Sequence, residues 1–509
     1  MAPQHQRTMS DSLIVSAERH PDKEVLVVNG KDRYTYGQLL DGAQRLARGL
    51  VDLGVRRGDR VVTFADNGWP CAVSIFATWL AGGVVVVVNA QTKADKLAYL
   101  LTDCNAVAMI TESKLAKTFS SVTGDLPVIC AGKMVEGTLS LQDVLADTDP
   151  KPGDHECIAT DLAAFIYTSG STGEPKGVVM THQNMTFTTA SLIEYLRLGP
   201  DERIINLLSL AFDYGLYQFL MTVRLGATLI LETGFGFPEV IRRRVRDENV
   251  TVFPGVPTVF ATLLAGDGGS FPSVRRVTNT AAALSPELIP RLAELFPEAL
   301  IYKMYGLTEC KRVLYLEPEE LAFRPASVGK AIPGTEVFLL SPDGETVAPG
   351  ESGILHVRGP HVMVGYWNKP AETERMIRPG RFPGDRILCA QDWFRMDEEG
   401  YLYFLGRNDD IIKSRGEKVS PVEVENALYG LTDVCEAAVV GIDDPVLGQA
   451  IRAYVALNDG SALTPADIRR YCQGCLESYM VPGEVIILPE LPKTDTGKIR
   501  KKSLTEESK

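Results

Sequence analysis

The chain has 509 residues, a length that calls for more than one domain at roughly 100–200 residues each and supplies ample apolar material for buried cores. Hydrophobic residues make up 45% and charged residues 23%, ordinary for a globular protein and unlike a disordered, collagenous or multi-spanning membrane chain. Lys and Arg number 52 against 65 Asp and Glu, and the net charge of −13 has the wrong sign for a protein held by nucleic-acid phosphates or by an anionic bilayer.

The first residues, Met1 to Lys23, are polar and lack the apolar run of a secretory leader, and the nine cysteines are scattered. Both features predict reduced thiols and a cytoplasmic location. From Asp11 to Val240 helical periodicity alternates with short apolar strands, the pattern of parallel sheets covered by helices. Predicted strands include Glu24–Val28, Arg60–Thr63, Val84–Val88 and Ala106–Ile110, and predicted helices include Tyr36–Leu53 and Pro70–Ala81. The apolar stretch from Cys71 to Val88 approaches the length of a membrane span, but Gly82 and Gly83 interrupt it, so it reads as a buried helix followed by a buried strand without membrane insertion. Arg242, Arg243, Arg244 and Arg246 read as a solvated helix face.

From Gly353 the texture changes to short strands with turn residues between them, Gly353–Arg358 and Tyr401–Leu405, which predicts an antiparallel subdomain. A polar break at Gly406–Asp410 is followed by a smaller α+β stretch: a helix at Glu423–Tyr429, strands at Val434–Gly441 and Ile451–Leu457, and a helix over Thr464–Tyr479. The predicted fold is therefore α/β, with a large N-terminal domain over residues 1–407 and a small C-terminal α+β domain over residues 408–509.

One segment is rich in chemistry: Thr168-Ser169-Gly170-Ser171-Thr172-Gly173-Glu174-Pro175-Lys176 lies between two apolar runs. Hydroxyl and backbone N–H donors around a concavity, with a lysine as point charge, suit a polyphosphate. Pro175 stands where the Gly of a Gly-x4-Gly-Lys loop would be, and a strand follows instead of a helix, so the segment is a phosphate loop of another type. Cys472 and Cys475 form a CxxC inside a helical pattern with no second ligand pair, and read as structural thiols. Ser327 and Lys330 have S-x-x-K spacing without the companion motifs of a serine acyltransferase.

With these residues the sequence resembles the acyl-adenylate-forming superfamily, which includes acyl-CoA synthetases, firefly luciferase and the adenylation domains of peptide synthetases. The Thr/Ser/Gly-rich loop is similar to the family signature, and four further segments follow in the family's order: Tyr305-Gly306-Leu307-Thr308-Glu309, Asp392 with Gly400 to Arg407, Lys413 to Pro421, and Leu491 to Lys498. The resemblance implies ATP and Mg²⁺, with Thr168 to Gly173 and Lys176 on the phosphates, Tyr305 against adenine, Thr308 on phosphate and Glu309 supporting the metal. It implies that Asp392 and Arg407 hold the ribose hydroxyls, that Asp409 is a hinge, that Gly416 lines a thiol tunnel, and that Lys498 is the catalytic lysine on a C-terminal domain that rotates between the two half-reactions. Two departures stand out: Ala390-Gln391-Asp392 replaces the usual Thr-Gly-Asp, and Thr280-Ala281-Ala282-Ala283 replaces a glycine-rich stretch.

The reaction implied is attack of a carboxylate on the α-phosphate of ATP, then displacement of AMP by a phosphopantetheine thiol. Such chemistry is driven mainly by positioning and by cations. Phe212-Asp213 occupies the stretch in which peptide-synthetase domains receive a substrate ammonium; a carboxylate in an apolar pocket calls for a cationic partner. Asp213 thus points to an amino acid delivered to a separate carrier protein, since no carrier segment follows Lys498; a cap on the helix beginning at Tyr214 is the other reading. CoA ligation of an aryl or fatty acid is the alternative function. Lys311 and Arg312 would meet a second substrate carboxylate, pyrophosphate or a surface acid.

Overall fold

Reciprocal caps set where several helices begin. Thr35 accepts the amide of Gln38 while the Gln38 side chain returns to Thr35, and Thr181 with Asn184 does the same for the helix His182–Tyr195. Gly82, at φ +79°, ends the helix Trp69–Leu80, letting the amides of Gly82 and Gly83 turn back to the carbonyls of Trp79 and Thr78. Val84–Val88 follow immediately, buried on both faces. Each such valine contributes roughly 1.5–3 kcal/mol by leaving water. The computed structural model describes residues 6–147, 149, 157–168, 174–234, 236–264, 269–280, 284, 286–408, 410–414, 417–444, 447–458, 460–493 and 499–506, and all structural counts and absences refer to those residues.

Two large sheets carry the N-terminal part. In one, eight strands run in the order Gly365–Tyr366, Lys176–Thr181, Leu162–Thr168, Val84–Asn89, Arg60–Ala65, Ala106–Glu112, Val128–Ala131 and Leu139–Ser140. Only Lys176–Thr181 runs against the rest, antiparallel to both Leu162–Thr168 and Gly365–Tyr366, and the other pairs are parallel. In the other, six inner strands are parallel in the order Leu300–Tyr305, Arg276–Asn279, Val252–Gly255, Arg203–Asn206, Thr228–Leu231 and Glu24–Val28. Antiparallel strands close both of its edges, Leu314–Leu316 with Lys330–Ala331 on one side and Asp32–Thr35 on the other. A third sheet, wholly antiparallel, joins Glu336–Leu340, Ser352–Arg358, Arg386–Met396, Ile377–Pro379 and Leu402–Arg407.

The C-terminal stretch builds a fourth sheet from Glu417–Val419, Ile412–Ser414, Gly448–Leu457, Val434–Asp444 and Glu484–Ile487, with its own apolar clusters around Val424, Ile468 and Leu504. Its second helix, Pro465–Cys475, is shorter than the apolar spacing predicts. Leu476 is extended (φ −122°, ψ 154°), and Leu476, Tyr479 and Val481 pack onto the core from turns, with Pro482 next in the chain. The arginine run also departs from expectation. Arg243 and Arg246 are exposed, but Arg242 is buried over the Phe271 ring and donates to the carbonyl of Leu263, and Arg244 pairs with Glu232 at 2.6 Å. The cysteines are unpaired, and no described helix is long and apolar enough to cross a membrane.

Asn67 ties the two large sheets together at the carboxyl ends of their strands. Just past Arg60–Ala65, its Nδ2 donates to the carbonyls of Leu208 and Glu232, both at 2.9 Å, and its Oδ1 accepts the Leu210 amide at 3.0 Å. Replacement by leucine orphans three backbone groups around a buried position. Asn67→Leu is expected to destabilise the protein by about 2–4 kcal/mol, read as a lower midpoint in chemical denaturation. An unchanged midpoint would contradict this role.

Candidate active site

The site lies where the carboxyl ends of the parallel strands face the antiparallel sheet, as expected for open α/β sheets. The phosphate-loop strands Leu162–Thr168 and Lys176–Thr181 run antiparallel with Thr168 directly opposite Lys176, so the ladder holds both ends of the loop. Ser169, Gly170, Ser171, Thr172 and Gly173 lie outside the described residues. Two phenols brace the pair: Tyr167 donates to Asp103 at 2.5 Å and Tyr99 to the Pro175 carbonyl at 3.0 Å. The Lys176 ammonium stands 5.4 Å from the centre of the Tyr366 ring. Tyr366 donates its hydroxyl to Glu309 Oε1 at 2.5 Å, which joins the phosphate loop to the Thr308-Glu309 segment of the other sheet.

That segment is a tight turn between Leu300–Tyr305 and Leu314–Leu316. A Cβ on Gly306 would sit 1.9 Å from the Lys311 carbonyl oxygen, so only glycine lets the turn close on itself. The Met363 amide holds the Glu309 carbonyl at 2.8 Å, and the Lys311 amide returns to Leu307 at 2.6 Å. Four side chains leave the turn toward different partners. Tyr305 donates to Asp392 Oδ2 at 2.5 Å, Glu309 receives Tyr366, Lys311 Nζ donates to the Thr308 carbonyl at 2.8 Å, and Arg312 Nη1 reaches Asp213 Oδ2 at 3.3 Å.

Asp392 and Arg407 are cross-strand partners in the antiparallel sheet, which puts a carboxylate and an exposed guanidinium side by side. Burial raises the Asp392 carboxyl to about 6, against the lowering effects of the Tyr305 hydroxyl and the Arg407 charge. Gln391, at the position where the resemblance implies glycine, has a left-handed φ of +57°, a conformation that glycine adopts most readily.

Asp213 departs from both readings of it. Phe212 is the cap residue of the helix Asp213–Leu225 and has no side-chain cap bond, while Asp213 lies in the first turn. Its carboxylate pairs with Arg312, whose guanidinium also lies 4.9 Å from the Tyr214 ring centre. The premise of an unpaired carboxylate awaiting an ammonium therefore fails. Burial pulls the Lys311 ammonium down to about 8, with Asp213 and Glu309 opposing that fall.

Tyr366 and Asn67 carry no sequence signal: a lone Gly-Tyr after an irregular stretch and one asparagine after a strand reveal nothing of their distant partners. Ser327 donates to the Leu402 carbonyl and accepts the Gly329 amide, a structural role. Asp409, Gly416 and Lys498, like Ala281 to Ala283, lie outside the described residues.

A family model described as AMP-binding enzyme matches residues 13–367, and a second, AMP-binding enzyme C-terminal domain, matches residues 423–498. The chain belongs to the AMP-binding enzyme family. It is 33% identical over 481 residues to a feruloyl-CoA synthase of Amycolatopsis sp, covering 93% of this chain and 94% of that protein. It is 31% identical over 545 residues to a long-chain-fatty-acid–CoA ligase of Bacillus subtilis (strain 168), covering 99% and 95%. Its fold superposes on an anthranilate CoA ligase in complex with anthranoyl-AMP with a TM-score of 0.91 at 26% identity, covering 99% of this chain and 97% of that one. As a member of this family of acid–thiol ligases, the protein is an ATP-dependent, AMP-forming ligase.

The raised Asp392 carboxyl has a stability consequence. Its unfolded value is near 3.8 and its folded value about 6, so the folded protein binds more protons between those pH values. Its contribution is present below pH 3.8 and lost as pH rises through 6, leaving a cost of about 3 kcal/mol near neutrality. Asp392→Asn is expected to raise the melting midpoint at pH 7.5 and to flatten its pH dependence, while increasing KM for ATP at least tenfold. Equal pH profiles of melting in the two proteins, with ATP KM unchanged, would contradict the assignment.

Proposed function

We propose that the protein activates a non-amino carboxylic acid as its acyl-adenylate and transfers it to CoA. The observation that carries the choice is the Asp213–Arg312 pair: the only carboxylate that argued for an amino acid already holds a buried guanidinium. An ammonium substrate would meet Arg312 and Lys311 on the same side of the turn. Support moves accordingly from an amino acid loaded onto a separate carrier protein to the aryl and fatty acids named for the feruloyl-CoA and long-chain-fatty-acid ligases.

In the first half-reaction an oxygen of the acid forms a bond to the α-phosphorus of ATP, and pyrophosphate leaves with the electrons of the broken P–O bond. In the second, the CoA sulfur forms a bond to the acyl carbon, the thiol proton is lost and AMP leaves. Lys176 and the loop Ser169–Gly173 would hold phosphate oxygens, and Tyr305, Asp392 and Arg407 the adenosine. Mg²⁺ would be held at Glu309, a carboxylate that Tyr366 positions, since this ion is commonly held by one or two carboxylates plus substrate phosphates. Bound there, it would neutralise phosphate charge.

The proposed division of labour gives residues 1–407 the acid and nucleotide, and residues 408–509 the catalytic Lys498, with Asp409 as hinge and Gly416 beside the thiol. Pyrophosphate exchange is expected with aryl or fatty acids and not with α- or β-amino acids, and the second product is expected to be the acyl-CoA. Exchange stimulated by amino acids alone would overturn this reading. Lys498→Ala is expected to lose exchange by at least a hundredfold while still converting supplied acyl-adenylate and CoA to thioester; equal loss of both steps would refute the two-state assignment.

A further inference from the structure

The acid side of the site turn holds more positive charge than its own carboxylates use. Lys311 and Arg312 are 1% and 3% exposed. Of the three Lys311 donors, one goes to the Thr308 carbonyl, and no described carboxylate lies within ion-pair distance of this ammonium. Arg312 shares Asp213 and the Lys311 carbonyl through Nη1, and its buried Nε has no partner. Asp213 is the one described carboxylate in ion-pair contact with either cation, and Glu309 accepts the Tyr366 hydroxyl instead. Lys311 also keeps a left-handed φ of +67°, a conformation that costs a residue with a side chain and that persists where the surroundings impose it. A buried ammonium with no carboxylate partner and a left-handed backbone at one residue, beside Thr308 and Glu309, suit an anionic ligand.

The direction of the cluster separates it from the nucleotide. Tyr305 turns to Asp392, and Glu309 to Tyr366, whose ring faces Lys176, whereas Arg312 packs on Tyr214 beside Asp213. Tyr214 in turn donates to Thr278 at the end of a neighbouring parallel strand, so this cluster lies on the inner-sheet side of the turn.

We propose that Lys311 and Arg312 recognise a second anionic group on the acid, so that the substrate is a dicarboxylic acid activated at one end and held at the other. This rests on the reading of the protein as a ligase of non-amino acids, and it narrows that class. The same cationic chemistry could instead serve a phosphate of ATP, and the test separates the two sources.

The experiment measures acid-dependent pyrophosphate exchange for matched pairs that differ by one carboxylate, hexanoate with adipate and benzoate with phthalate among them, over a ladder of chain lengths. The unaltered enzyme is expected to favour the dicarboxylate of at least one pair by tenfold or more in kcat/KM. In Lys311→Met the KM for that dicarboxylate should rise at least tenfold with ATP KM changed less than twofold, and Lys311→Arg should restore most of the preference. Monocarboxylates preferred throughout the ladder would overturn the proposal and leave the ligase reading standing. A parallel rise of ATP KM in Lys311→Met, with acid KM unmoved, would assign the cations to the nucleotide and overturn it as well. Exchange with no acid of either kind would instead refute the ligase reading on which it depends. The comparison within the unaltered enzyme decides the matter even if the variants fail to fold.

Discussion

The turn from Gly306 to Val313 can close only because Gly306 lacks a Cβ where the Lys311 carbonyl passes, and every part of the site depends on that closure. A larger residue there would push the two strands apart and move four side chains at once. Tyr305, Glu309, Lys311 and Arg312 leave this one turn for Asp392, Tyr366, Thr308 and Asp213, partners drawn from the antiparallel sheet, the phosphate-loop sheet, the turn itself and a helix of the inner sheet. The proposed nucleotide and acid sites would thus be two faces of one short stretch of chain. Asn67 supports it from behind by holding the segment Leu208–Leu210 that leads to Asp213.

Charge at low dielectric explains why these partners are needed. Burial raises the Asp392 carboxyl although a hydroxyl and a guanidinium face it, so the folded protein tolerates a carboxylate that its own partners do not fully offset. Lys311 shows the same economy with the opposite sign. Sites that bind charged substrates commonly sacrifice stability in this way, because groups aimed at a ligand cannot also be fully paired within the protein.

Much of the fold is legible in the sequence because it follows local periodicity. Val84–Val88, Tyr36–Leu53 and the antiparallel strands beyond Gly353 are found within a residue or two of their predicted places, since period and turn chemistry decide them. The order of the motifs also singles out Tyr305, Asp392 and Arg407, and the structure brings these three together. Long-range pairing is what the sequence conceals. That Asp213 meets Arg312, that Tyr366 returns to Glu309, and that Arg242 is buried are consequences of chain crossings with no local signature. The helix after Thr464 fails for the converse reason: its apolar period continues past Cys475, but tertiary packing and Pro482 draw the chain out of the helix.

The most direct measurement is a crystal structure of the protein with a stable sulfamoyl analogue of a dicarboxylic acyl-adenylate. The adenine should lie against Tyr305 with the ribose hydroxyls on Asp392, and the free carboxylate should stand within hydrogen-bond distance of Lys311 Nζ. A free carboxylate directed into solvent, or the sulfamoyl group itself seated on Lys311 and Arg312, would contradict the separation of nucleotide and acid about this turn.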